Sequence, residues 1–180
     1  MDGMPIEVRE YGIDWPRRFD VERVELERLL APWLSGGVHH IGSTAVPGLS
    51  AKPIIDMMAG VRDLTQARAA VPLLEEHGYR HAPHRATALW FHKPESDQLR
   101  ERTHHLHLTE PGSDLWRERL TFRDALRADP ALRDEYQRLK LRLADAHGED
   151  VKAYTADKRA FVSRVLAAHG VTLGSGRSGS

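Results

Sequence analysis

VHHIGSTAVPGLSAKPIIDMM, Val38 to Met58, is the stretch that decides how this chain folds. Val38, His40 and Gly42 alternate with His39 and Ile41, the period-two pattern of a short strand. Gly42-Ser43 then stands where a helix opens, and the first N–H groups of a helix have no internal partner. With the positive end of the helix dipole beside them, such donors dock an anion. Pro47 and Gly48 cut that segment short, and Pro53-Ile54-Ile55-Asp56-Met57-Met58 reads as a second strand in which Asp56 is the one ionisable group. Burying that carboxylate unpaired would cost several kcal/mol or raise its pKa, so Asp56 calls for a cation. Ser43, Lys52 and Asp56 fall within fourteen residues that the strand-helix-strand pattern folds back on itself, as a phosphate or metal site requires. The plain alternative is a helix cap and a strand carboxylate hydrogen-bonded to a loop.

A chain of 180 residues that is 41% hydrophobic can bury one good core, so a single globular unit is expected to about residue 172. Its sheet would occupy about residues 36–110 and its helical part about 113–169. Balanced counts of 26 basic and 26 acidic residues remove the electrostatic footprint of a protein that grips long nucleic acid. The absence of cysteine excludes disulfides, cysteine zinc sites and thiol nucleophiles. No apolar run reaches membrane-spanning length and no apolar leader opens the chain, so a cytoplasmic protein without membrane partners is expected.

Outward from Val38–Met58, the chain alternates helices with strands and then finishes as nearly all helix. Asp14 before Trp15-Pro16 signals a helix start, with Phe19, Leu26, Leu30 and Trp33 recurring on one face. Asp63 or Thr65 opens a further helix with Val71 and Leu74 inward, running through Pro72 to Gly78. Ala88–His92 and Thr103–Thr109 read as a hairpin joined by the polar loop 93–102. Pro111-Gly112-Ser113 caps a helix carrying Trp116, Leu120 and Phe122, and Asp129-Pro130 starts another with Leu132, Tyr136, Leu139 and Leu143 inward. A last helix spans about residues 149–168, and the tail from 173, with nothing apolar to bury, is expected to be disordered.

In the hairpin's second strand, alternation puts His105 and His107 on one face and Leu106 and Leu108 on the other. If that strand lies beside the one bearing Asp56, side chains on the shared face meet within about 5–8 Å. Three roles are open to these imidazoles. With Asp56 they can hold a divalent ion, since imidazole suits zinc and manganese better than magnesium. They can bind phosphate or move protons, their unperturbed pKa being near neutrality. Or they hydrogen-bond neighbouring side chains and nothing more. A two-histidine phosphoesterase would need a second His-x-Thr element besides His107-Leu108-Thr109, and none is present; His-Glu-x-x-His is absent too.

HIGSTAVPGLSAKPIID closely resembles the signature of the GrpB family, small bacterial proteins similar to the nucleotidyltransferase fold of the polymerase-beta superfamily. RTHHLHLTEPGSDLW, Arg102 to Trp116, FRDALRADP, Phe122 to Pro130, and YTADKRAFV, Tyr154 to Val162, are also similar to GrpB and come in the expected order. The resemblance implies an α/β (α+β) nucleotidyltransferase-like fold, a small mixed sheet flanked by helices with a helical C-terminal region. It also implies a cleft in which Gly42, Ser43 and Lys52 meet a phosphorylated small molecule such as a nucleotide. Tyr154 and Lys158 belong to the family pattern and would close over its phosphates. Asp56 matches the first acid of the Asp-x-Asp pair that holds two magnesium ions in active nucleotidyltransferases. Met58 stands in place of the second acid, and His105 or His107 in place of the third. The expected site is therefore Asp56 and His107 for catalysis, with Asp56, His105 and His107 around a manganese, magnesium or zinc ion. Nucleotidyl transfer to a small acceptor is the reaction so implied. The rival is a ligand-binding, folding or regulatory module that keeps the cleft without the chemistry, as implied by a similar domain fused behind dephospho-CoA kinase in some bacteria.

Overall fold

The structure, a computed structural model, describes residues 8–94, 101–146 and 151–174. Five strands form one mixed sheet in the order β1-β2-β5-β4-β3. These are β1 (Leu34–Ile41), β2 (Ile55–Val61), β3 (Arg80–Ala82), β4 (Ala88–Lys93) and β5 (His104–Thr109). The central pair β2 and β5 runs parallel, and every other pairing is antiparallel. The helices are α1 (Trp15–Leu30), the short α2 (Leu64–Ala67) and α3 (Val71–Glu76), and then α4 (Asp114–Ala128), α5 (Pro130–Ala146) and α6 (Val151–Ala168).

The two faces of the sheet have different covers, as strand alternation dictates. On one face Val38, Ile55, Met57, Ala59, Val61, Leu106, Leu108 and Phe91 are buried beneath Leu26, Leu29 and Leu30 of α1 and Ala67 and Leu74 of the α2–α3 segment. On the other, Ile41, Met58 and Ala88 pack under Leu115 of α4, with Trp116 and Leu120 alongside. Trp116 fits because Gly36 and Gly60 leave it a slot: an added Cβ would stand 2.8 Å from its ring at Gly36 and 2.9 Å at Gly60. A third cluster joins Val46 and Leu49, from the loop after β1, to Leu126, Tyr136, Phe161 and Val165 of the helical region. That loop is thereby clamped between the sheet and α4–α6.

Capping follows the sequence in most places. Ser113 Oγ accepts from the Trp116 N–H at 3.2 Å, Asp63 Oδ1 from Gln66 N at 2.9 Å, and Asp129 Oδ1 from Ala131 N at 2.9 Å. Asp14 departs from this: α1 starts after it, but its side chain makes no capping bond. The helix expected from Asp63 to Gly78 is broken into α2, a 3₁₀ turn over Arg68–Ala70 and α3, which puts Pro72 in a first turn where its missing N–H is harmless. Trp33 lies beyond the end of α1, β1 starts earlier than Val38, and β3 had no signal of its own. Gly174 accepts at its carbonyl from Arg159 Nη2 at 2.9 Å and donates to Glu118 Oε1 at 2.6 Å, so the tail expected to be disordered from 173 is held at least this far. Residues 175–180 and Glu149 lie outside the described residues.

Candidate functional site

Gly42 and Asp56 form the hinge of the site. Gly42 adopts φ 72° and ψ −173°, a conformation open in practice to glycine alone. A Cβ there would stand 2.6 Å from Asp56 Oδ2, so the missing side chain lets the turn close onto the carboxylate. One element differs from expectation: Ser43 opens a single 3₁₀ turn, Ser43–Ala45, rather than an α-helix. Three residues do not sum to a helix dipole, so an anion here must be held by side chains and local N–H groups.

Carbonyls at the end of β1 and in the loop after it are taken by cations of the helical region. Arg123 Nη1 donates to His40 O at 3.1 Å, Arg127 Nε to Ala45 O at 2.7 Å and Lys140 Nζ to Ser50 O at 2.6 Å. Lys140 also donates to Ser43 Oγ at 3.1 Å and lies over the Tyr136 ring at 5.0 Å. It is 6% exposed, and among the described residues no carboxylate pairs with it. Burial, with the nearby charge of Lys158, pushes its pKa down to about 7. Burial and the same Lys158 also lower Lys52, which Asp56 pulls the other way. Lys158 of α6 thus acts on both Lys52 and Lys140, and Lys140 of α5 contacts the Ser43 turn.

Asp56 sits opposite His105 in the parallel β2–β5 register, and Met58 opposite His107. His105 Nδ1 lies 3.1 Å from Asp56 Oδ1, with the ring 12% and the carboxylate 32% exposed. Burial raises the pKa of Asp56, but the His105 hydrogen bond and the charges of His105, His107 and Arg119 outweigh it and hold the carboxyl below its usual value. His107 is 6% exposed, and burial with the Arg119 charge pushes its pKa well below the ordinary range, leaving a neutral ring. Met58 is fully buried among Ile41, Ala88 and Leu115, a packing residue. Among the described residues, no three or more His, Asp or Glu side chains are grouped to hold a metal ion. Asp56, His105 and His107 share a face, but as a hydrogen-bonded pair with a neighbour rather than as a preformed three-ligand cage.

Gly42, Ser43, Lys52, Asp56, His105 and His107 all gather where β1, β2 and β5 meet the helical region, and Lys158 reaches the same place. Tyr154 falls in α6, where its side chain lies outside what the structure describes. Lys140 escaped the sequence reading although a signal was present: Tyr136, Lys140 and Leu143 share an inward stripe at spacings of four and three, and a lysine there is anomalous. Arg119 and His84 carried no such signal. A groove of about 280 Å³ at the α1 edge, lined by Arg17, Arg18, Glu22 and His104, is on the opposite face of the sheet. Glu22 there accepts from Tyr79 Oη at 2.6 Å and from Lys93 Nζ at 2.9 Å, a satisfied structural network.

A family model described as GrpB protein matches residues 5–168. The chain belongs to the GrpB family. It is 35% identical over 157 residues to the glutamate-rich protein GrpB of Alkalihalophilus pseudofirmus, spanning 85% of this chain and 89% of that one. It is 40% identical over 152 residues to a UPF0157 protein of Deinococcus radiodurans, 84% of this chain and 76% of the other. With the UPF0157 protein YqkA of Bacillus subtilis it shares 33% identity over 159 residues, 87% of this chain but 45% of that longer one. The crystal structure of the conserved protein GrpB from Enterococcus faecalis superposes with a TM-score of 0.79 at 30% identity, covering 91% of this chain and 99% of that one. Among the described residues, no helix is long and apolar enough to cross a membrane.

Proposed function

We propose that this GrpB cleft binds a phosphorylated small molecule, a nucleoside triphosphate in the simplest case, and transfers its nucleotidyl group to a small acceptor. The observation that carries the reading is Lys140: a buried ammonium without a carboxylate partner, held at the Ser43 turn beside Lys52 and Lys158. Burying such a charge is costly, and the arrangement is favourable once an anion fills it. Ser43 Oγ and the N–H groups of the first 3₁₀ residues supply hydrogen bonds beside it. The donor set suits an ion of a particular kind. Asp56, about one-third exposed, is a single carboxylate that can share a magnesium or manganese ion with the phosphates of the ligand, as such ions prefer. An ion held this way would neutralise charge at the reacting phosphate. Asp56 itself keeps His105 oriented through the Nδ1 contact, and that ring is placed to take a proton.

Calorimetry and thermal shift with nucleoside triphosphates, inorganic pyrophosphate and sugar phosphates test the binding. Ligand at about a hundred times its Kd adds roughly 2.7 kcal/mol to stability. Lys140→Gln should weaken the response at least tenfold; a flat response across the panel would remove the reading. The second reading, a binding or folding module without turnover, is favoured by Met58, whose full burial leaves β2 with one acid. Nucleotide binding without pyrophosphate release in the presence of manganese and candidate acceptors would select it.

A further inference from the structure

The sheet face beyond Asp56 holds a second cluster that phosphate binding does not use. His84, in the connection between β3 and β4, faces His107 with ring centroids 5.1 Å apart. His84 is fixed there because its neighbour Arg85 donates to Asp114 Oδ2 at 3.1 Å and Glu118 Oε2 at 3.2 Å, both on α4. Arg119, the next residue of α4, acts on Asp56, His84 and His107 alike. Among the buried nitrogens on this face without a hydrogen-bond partner are His84 Nε2, His105 Nε2, His107 Nδ1 and Arg119 Nε, with Arg85 Nε beside them. Away from this face, His39 bonds Gly36 O, His40 Thr44 Oγ1, His77 Leu73 O and His169 Val165 O. Buried polar atoms are rarely left unpaired, so a concentration of them on one face marks donors that await a partner.

We propose that His84, His107 and Arg119 form the acceptor subsite, and that the acceptor is a small molecule carrying one carboxylate. The proposal rests on the transferase reading of the cleft and names its second substrate. Charge selects the class. The Arg119 charge acts on His84, His107 and Asp56 alike, the nearby Arg85 being paired with Asp114 and Glu118, and Asp56 opposes a multiply charged anion. The lysines at the Ser43 end suit phosphate, whereas a planar guanidinium with an adjacent imidazole N–H matches the two oxygens of a carboxylate. Trp90, with His84 at 6.2 Å and His105 at 5.3 Å between ring centroids, gives the carbon body of the acceptor an aromatic wall.

The test titrates acetate and benzoate into the full chain while the histidine ring nitrogens are followed by long-range ¹H–¹⁵N correlation. His84 and His107 should shift saturably, benzoate binding the tighter, and Arg119→Gln should weaken both at least tenfold. His84→Phe, on a connection outside the core elements, should weaken them too and guards against an Arg119 variant that fails to fold. Inorganic phosphate should instead act at the lysine end, its effect lost in Lys140→Gln while the carboxylate response persists; that pattern separates the two sites. Unmoved His84 and His107 signals with either carboxylate, or an undiminished response in both variants, overturns the subsite. Loss of the phosphate response alone would count against the lysine site only.

Discussion

Lys140 ties ligand affinity to pH in a way that can be worked out beforehand. Its pKa in the ligand-free protein is about 7, against 10.5 for an ordinary lysine, because burial and Lys158 disfavour the charge. At pH 8 about a tenth of the molecules carry the ammonium, so a phosphate that requires it must bring in about 0.9 of a proton. Above pH 7 the Kd should rise about tenfold per pH unit until the pKa of the occupied site is reached, and below 7 this group should have no further effect. The ligand-free protein runs the other way. Its folded state binds fewer protons than the unfolded chain between about pH 7 and 10.5, so this group's contribution to stability grows as pH rises through that window. Calorimetry in two buffers of different ionisation enthalpy measures the proton uptake directly, and titrations from pH 7.5 to 9.5 with pyrophosphate give the slope. Lys140→Arg, charged throughout, should bind with the slope removed; Lys140→Gln should bind weakly and also without it. A wild-type slope that persists in Lys140→Gln, or no proton uptake at pH 8, refutes the assignment of Lys140 to the anion.

Gly42→Ala should cost about 2–4 kcal/mol in urea unfolding, from strain at φ 72° and the contact with Asp56, and a loss below about 1 kcal/mol would mean that the turn is not fixed by that contact. His40 has its pKa pushed down to about 4 by burial, so its contribution is complete above about 6.5 and is lost as pH falls from there to 4, on the order of 3 kcal/mol in all. His40→Gln should flatten that part of the acid limb in denaturation midpoints taken from pH 4 to 7. Met58→Asp places a carboxylate among Ile41, Ala88 and Leu115 and should lower stability by about 3–5 kcal/mol, with recovery on adding manganese. A melting temperature indifferent to manganese would show that the position cannot serve as a second acid.

Where local pattern carries the information, the sequence was legible. Strand alternation put His105 and His107 on one face, and the register sets Asp56 opposite His105; the β4–β5 hairpin and the caps at Ser113 and Asp129 also stand as read. The losses have specific causes. Ser43 starts a 3₁₀ turn because Pro47 and Gly48 follow too soon for an α-helical turn to continue. Strand β3, Arg80–Ala82, is three residues long and gains its form from pairing with β4. Lys140 reaches Ser43 across 97 positions of sequence, and the Arg119 charge acts on His84 with α4 seated on Gly36 and Gly60 through Trp116. Such contacts belong to tertiary packing: the stripe of Tyr136, Lys140 and Leu143 marks Lys140 as inward without naming its partner, and Arg119 has no such stripe.

The charges around the cleft also bear on how many ions it can use. Lys52 and Arg119 act on the Asp56 carboxylate, Lys158 acts on Lys52 and Lys140, and Met58 gives β2 no second acid. A site that holds two divalent ions needs several carboxylates to offset them. Here the balance lies the other way, with ammonium groups taking up phosphate charge and Asp56 left to hold at most an ion shared with the ligand. His105, hydrogen-bonded to Asp56 and with Nε2 unpartnered, then stands between the phosphate end and the Arg119 end. In the proposed transfer an acceptor hydroxyl attacks the α-phosphorus as pyrophosphate leaves, and the hydroxyl proton passes to that ring. Asp56→Asn therefore separates the roles by rate: if Asp56 serves to orient His105, the variant should still bind pyrophosphate while transfer falls. His105→Gln should abolish transfer with pyrophosphate affinity kept within about threefold, a difference of less than about 1 kcal/mol. Equal loss of binding and turnover in His105→Gln would place the ring in the phosphate pocket instead and leave proton transfer without a residue to carry it.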